Sequence, residues 1–379
     1  MGLANRDRRT VLRRLGAGSS LALLRPAAFA AGWVTAVTAR AQLAPDVWDE
    51  FRRRFVTNDG RVLDDDGATH SEGLGTALLA CAAAGDQSRF ERTWSVARAL
   101  RRDDGLFSWR VQNGGRLVDA NNATDGDLYI AWALARAAQA FSAPSYAEEA
   151  RQTARAIRAW CVRETRFGSV LVPGRFGFDR ARQVVANPSY WVFPAFDALR
   201  AVDPHPQWAA LTDTALTLLA RTRYGRRELT ADWIEIEGAS TRPWRERPAR
   251  FGYEAIRVPL FLYWAQRFGH PQLDAFVRYA AAPAFPAWVA LDDDEASRER
   301  APAGFEAIAR LARALPAVTR TQLPGINSSY YSSSLVLLAA LANDDVIRQS
   351  SAQQNAARAE KRPLQRRVVA DEGVPRIGP

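Results

Sequence analysis

From Pro45 onward, apolar residues recur at intervals of three and four through most of the chain, the spacing that turns one face of an α-helix toward a core. The stretches are PDVWDEFRRRFV from residue 45, Ser71 to Ala84, DQSRFERTWSVARALRR from 86, DGDLYIAWALARAAQAF from 125 and PSYAEEARQTARAIRAWCVRE from 144. Residues 190–201 and 207–222 follow, then YEAIRVPLFLYWAQRFG from 253, a segment opening at Pro271, GFEAIARLARAL from 304 and SSSLVLLAALAN from 332. The pattern predicts an all-α chain of roughly eleven or twelve helices. Strand signals are short and few: GRVLDD, LFSWRV and SVLVPGRFGFD. The helices come in pairs, with long connections at alternate joints. That alternation suits a ring of helical hairpins whose long loops gather at one end and form a cleft.

No linker divides residues 42–352, which read as one domain. The polar, basic stretch 353–379 reads as a poorly ordered tail. Residues 1–41 have the make-up of a twin-arginine export signal and linker. Paired Arg8 and Arg9 precede the mildly apolar GAGSSLALL, and Ala28-Phe29-Ala30 and Ala39-Arg40-Ala41 offer small-x-small cleavage points. The apolar run is too short to span a bilayer as a helix, so the protein is expected in the periplasm or outside the cell, without stable membrane insertion.

The net charge is +10, yet the basic residues, all arginine save Lys361, are spread along the chain and show no clustering outside the two ends. A nucleic-acid partner is not expected from such a distribution. His70, His205 and His270 are scattered, and Cys81 and Cys161 lack metal-ligand spacing. The two cysteines suit either a pair in an exported protein or two buried thiols. Asp64, Asp65 and Asp66 read as a solvated turn, since a calcium loop needs alternating acids and a following glutamate. No metal or organic cofactor is expected.

Acids do cluster at helix starts. Ser71 suits an N-cap, which places Glu72 in the first turn, ahead of the apolar LLACAAAG. Asn122-Ala123-Thr124-Asp125-Gly126-Asp127 precedes Leu128-Tyr129-Ile130, and Gly252-Tyr253-Glu254 leads into Ile256-Arg257-Val258. In a hairpin ring such positions converge at the loop end. Converging carboxylates are what cleavage of a glycosidic bond requires, one protonated to release the leaving oxygen and one ionised to activate water or attack the sugar. Asp127 is expected to interact mainly with its own helix start. Trp94, Trp132, Trp160, Trp208 and Trp264 fall on helical faces and belong in the core, whereas Trp191, Trp233 and Trp244 lie near loops and can line a groove.

The stretches GRVLDDDGATHSEGLGTALL, NNATDGDLYIAWAL, NPSYWVFPAF, ADWIEI and FGYEAIRVPLFLYWA, in this order, resemble glycoside hydrolase family 8. Within it the resemblance is to bacterial endoglucanases encoded alongside cellulose synthases. It spans residues 48 to about 270 and implies an (α/α)6 barrel and endo-acting, inverting hydrolysis of β-1,4-glucan, with the cellulose synthase machinery as an associated partner. Carried over by position, it makes Glu72 the general acid and Asp125 the acid that contacts and distorts the sugar. Tyr190 stands beside the reacting centre, Arg257 orients the neighbouring carboxylate, and Trp109 stacks on a glucosyl ring. One departure matters: the catalytic base of this subgroup is an aspartate, and this chain has Glu254 there, one methylene longer. Glu254 is the expected base, with Asp125 as second choice should Glu254 serve only to pair with Arg257. The alternatives are a hydrolase of chitosan or mixed-linkage glucan, or a non-catalytic glucan-binding factor.

Overall fold

The computed structural model describes residues 45–371 apart from 113–114, 120, 181, 283, 316–321 and 327–328; the segment expected to be an export signal and the last eight residues lie outside the described residues. Among the described residues eleven α-helices follow one another: α1 (Pro45–Phe55), α2 (Ser71–Ala84), α3 (Gln87–Ala99), α4 (Thr124–Ala140), α5 (Pro144–Trp160), α6 (Phe193–Val202), α7 (Gln207–Arg221), α8 (Arg257–Trp264), α9 (Pro271–Tyr279), α10 (Ala303–Arg313) and α11 (Tyr330–Asp371).

Six of them, α2, α4, α6, α8, α10 and α11, touch in succession around a closed ring, α11 returning to α2. α1, α3, α5, α7 and α9 pack outside it, each burying one face. This is the (α/α)6 barrel, with no helix among the described residues of 314–329 where a sixth outer helix would stand. The inner helices show why the ring closes: α2 is buried from Gly73 to Ala82, α8 throughout, and α4 from Thr124 to Ala135. A helix apolar all round is stable only when surrounded. Every inner helix is preceded by a long connection, residues 56–70, 100–123, 161–192, 222–256, 280–302 and 314–329. The joints from α2 to α3, α4 to α5, α6 to α7 and α8 to α9 are short. The long loops therefore converge on the N-terminal ends of the inner helices, and that end carries the site.

Several boundaries differ from the periodicity. The helix expected over 190–201 is a 3-10 turn, Pro188–Tyr190, followed by α6 from Phe193, because Pro188 and Pro194 each open a new helical start. The segment 253–269 shrinks to Arg257–Trp264; Gln266 at φ 56 breaks its far end, and its near end gives backbone amides to Asp232. α5 stops at Trp160, and Val162–Thr165 pairs instead with Gly168–Leu171. GRVLDD contributes an isolated bridge between Val56 and Val62. A four-stranded antiparallel sheet, Asp179–Arg180, Gln183–Ala186, Ile234–Glu237 and Ser240–Pro243, was not expected, although Ile234 and Ile236 alternate as a half-buried strand should.

Candidate active site

Three inner helix starts and one 3-10 turn build the site. α2 begins at Ser71 as expected, but its N-cap is His70 and no side chain caps it; the Ser71 hydroxyl is buried without a hydrogen-bond partner. Glu72 sits in the first turn, its side chain 30% exposed. The Ser71 amide instead donates to the Trp109 carbonyl at 3.0 Å, and Thr69–His70 pairs with Arg110–Val111, so Trp109 is tied to the start of the helix that carries Glu72. α4 approaches α2 through glycine. A Cβ on Gly126 would lie 2.8 Å from the Glu72 amide nitrogen and against the Ser71 hydroxyl, and one on Gly75 would lie 2.9 Å from the Ile130 nitrogen. That close approach brings Asp125, 2% exposed, alongside Glu72.

Arg257 opens α8 and collects the carboxylates. Its buried guanidinium donates through Nη1 to Glu72 Oε1 at 2.7 Å and to Asp125 Oδ2 at 2.9 Å, and through Nη2 to Glu254 Oε2. The three acids, far apart in sequence, thus meet on one side chain. Arg257 orients all three, where only its neighbour Glu254 was expected. Glu254 Oε2 also accepts from Asn187 Nδ2 at 3.0 Å. The Glu254 side chain is 32% exposed, whereas that of Asp125 lies deeper at 2%. A base must take its water from solvent, and Glu254 is the more accessible of the two. The Tyr190 ring lies under the Arg257 guanidinium at 5.5 Å.

Burial is the main force on the charges here. It pushes the Asp125 carboxyl well up, reinforced by the charge of Glu72 and Glu254 and opposed by Arg257. Burial weakens the hold of Arg257 on its proton, and the acids Glu72, Glu254 and Asp125 more than offset this and raise it. Tyr190 and Tyr331, half-buried, are pushed up by their desolvation and stay neutral phenols.

Aromatic surfaces flank the cluster on two sides. Trp109 lies 5.6 Å from the His70 ring on the Glu72 side. On the other side, Tyr190 leads to Trp233 at 6.4 Å, Trp233 to Trp244 at 5.7 Å, and Phe178 stacks on Trp233 at 6.1 Å. Two tryptophans change places: Trp191 is buried, donating to the Leu171 carbonyl, and Trp160, expected in the core, is 39% exposed under Arg175. Cys81 and Cys161 are buried, unpaired thiols.

Three supporting residues, Asn187, Tyr331 and Asp232, were given no part by sequence reasoning, and a fourth, Asp127, was given a different one. Asp127 does not serve its own helix alone: Oδ1 accepts from the Phe107 amide at 2.8 Å and Oδ2 from Asn122 Nδ2 at 2.6 Å, which anchors the loop carrying Trp109. Asn187 holds Glu254, and the Tyr331 hydroxyl donates to the Tyr253 carbonyl. Asp232 accepts from the turn that carries Glu254. The aspartate run is no free turn either. Asp64 pairs with His70 at 2.7 Å, and Asp65 accepts the Tyr330 amide that opens α11. No group of three His, Cys, Asp or Glu among the described residues could hold a metal ion.

The family model of glycosyl hydrolases family 8 matches residues 21–345. The probable endoglucanase of Novacetimonas hansenii is 36% identical over 71% of this chain and 83% of its own. The endoglucanase of Cellulomonas uda is 30% identical over 73% and 80%. Among solved structures, the endo-beta-1,4-glucanase CMCax of Acetobacter xylinum superposes with a TM-score of 0.75 at 34% identity, covering 80% of this chain and 98% of that one.

Proposed function

The chain belongs to glycosyl hydrolase family 8 and is a glycoside hydrolase, and on that premise we propose that it cuts internal β-1,4-glucosidic bonds of cellulose-like polysaccharide with inversion. The observation that carries the proposal is the single guanidinium of Arg257 joining Glu72, Asp125 and Glu254. Glu72 gives its proton to the glycosidic oxygen as the C–O bond breaks. Glu254 takes a proton from a water molecule, which attacks the anomeric carbon from the opposite face. Asp125 and Tyr190 hold the distorted sugar between them, and Trp109 stacks against a neighbouring ring. The relatives' names and the shared motifs support β-1,4-glucan over chitosan or mixed-linkage glucan. The resemblance to endoglucanases encoded alongside cellulose synthases supports a link to bacterial cellulose synthesis, and the twin-arginine pattern supports export.

Glu72→Gln is expected to lower activity on carboxymethylcellulose by about a hundredfold to ten-thousandfold, the range a general acid contributes. Full activity would overturn the assignment. NMR of the first product should show the α-anomer; the β-anomer would refute inversion.

A further inference from the structure

The turn that presents Glu254 is held within itself only by the Ile256 amide on the Gly252 carbonyl at 3.1 Å and the Arg257 amide on the Glu254 carbonyl at 3.2 Å, and three further amides of it converge on one buried side chain. Asp232 Oδ1 accepts from the backbone nitrogens of Gly252 at 2.8 Å, Glu254 at 3.2 Å and Ala255 at 2.9 Å. Its Oδ2 accepts from Arg250 Nε at 3.3 Å. The residue is 4% exposed, and its own amide donates to the Arg250 carbonyl at 2.8 Å, so the carboxylate cannot shift without the strand edge beneath it. Gly252 completes the fit, since a Cβ there would lie 3.1 Å from Oδ2. The next residue along, Trp233, belongs to the aromatic wall and accepts the Trp244 amide at 3.0 Å.

We propose that Asp232 is a positioning residue for the reaction: it fixes the direction of the Glu254 carboxylate by binding the backbone amides of Gly252, Glu254 and Ala255. The inference rests on Glu254 being the base. Three amides on one carboxylate oxygen make a rigid hold, because each bond is charge-assisted and buried away from water. Burial raises this carboxyl and the amides oppose the rise, which together leave it at about 6. An asparagine at 232 keeps an oxygen for the amides but loses the charge and turns an NH2 toward Arg250.

The test is a cycle of four proteins: the full chain, Asp232→Asn, Glu254→Ala and the double variant. Each is assayed on a soluble cello-oligosaccharide, with azide added to the Glu254→Ala pair so that a small anion can fill the space of the missing carboxylate. Asp232→Asn alone should lower kcat about tenfold to a hundredfold with KM little changed, the cost of misplacing a reacting group by about 1 Å. In the Glu254→Ala background the same change should alter the azide-supported rate by less than about twofold, since there is no carboxylate left to aim. An equal loss in both backgrounds would overturn the inference and leave Asp232 a structural residue, as would an unchanged kcat in Asp232→Asn. Full activity in Glu254→Ala would instead overturn the assignment of the base, and the inference with it.

Discussion

A guanidinium offers two terminal nitrogens in a fixed plane, and Arg257 divides them among three carboxylates. No point charge can do the same, so Arg257→Lys is expected to lower kcat by about a hundredfold or more while also lowering Tm, because a buried carboxylate loses its partner. Steady-state kinetics and a melting curve on the same preparation check both effects. Glu254 poses a finer question, since the resemblance leads one to expect aspartate. Its Oε2 already meets Arg257 and Asn187, so the longer arm is matched by its surroundings. Glu254→Asp should therefore lower kcat about tenfold to a hundredfold by withdrawing the oxygen from both; a gain in kcat would show that the surroundings are built for the shorter acid. Glu72, Asp125 and Glu254 could be found in the sequence because each stands at or just before an apolar run. Asp232 could not: its importance comes from amides some twenty positions away, and no local pattern announces that.

At the level of elements, the distance between α2 and α4 decides whether Glu72 and Asp125 can share one cation. Small residues set that distance. Gly75 faces Tyr129 and Ile130, and Gly126 faces Ser71 and Glu72. Gly126→Ala would drive a methyl into the Ser71 side chain and the Glu72 backbone, both held in the first turn of α2. It is expected to cost about 1–3 kcal/mol of stability in urea unfolding, as overpacking does, and to lower kcat at the same time by parting the two acids. Periodicity revealed the helices themselves, because a buried face leaves its spacing in the residues. It overran at α5 and α8 because the residues beyond those ends remain apolar while their backbone takes up other partners, a strand in one case and the Asp232 carboxylate in the other. The sheet around Ile234 was legible in principle, from the alternation Ile234, Glu235, Ile236, but its inward Glu235 hides the pattern: it is buried and satisfied by Arg242 and Gln183.

Taken as a whole, the molecule encloses several acids in its barrel, and their summed titration sets how stability depends on pH. Burial raises Asp127 to about 7 and Asp232 to about 6, and raises Asp125 in the same direction. A carboxyl raised in the folded state holds its proton while the unfolded chain has released it. Its contribution is therefore full below the ordinary value of 3.8 and is lost as pH climbs through the folded value. Opposing effects lie at lower pH. Asp345 is held below the usual range by Arg136 and Arg348 against burial and loses its contribution on acidification, as do Asp64 and Asp203, and the half-buried His270 is pushed below 6.5 and resists being charged. The raised acids outnumber the imidazole, so the ligand-free protein should melt at a higher temperature near pH 5 than near pH 8. Asp127→Asn isolates one contribution. Wild type should lose up to about 1.4 kcal/mol per pH unit more than the variant between about pH 4 and pH 7, so the two stability curves converge as pH rises. Parallel curves across that range would mean that Asp127 is ionised in the folded protein, with Asn122 and the Phe107 amide outweighing its burial.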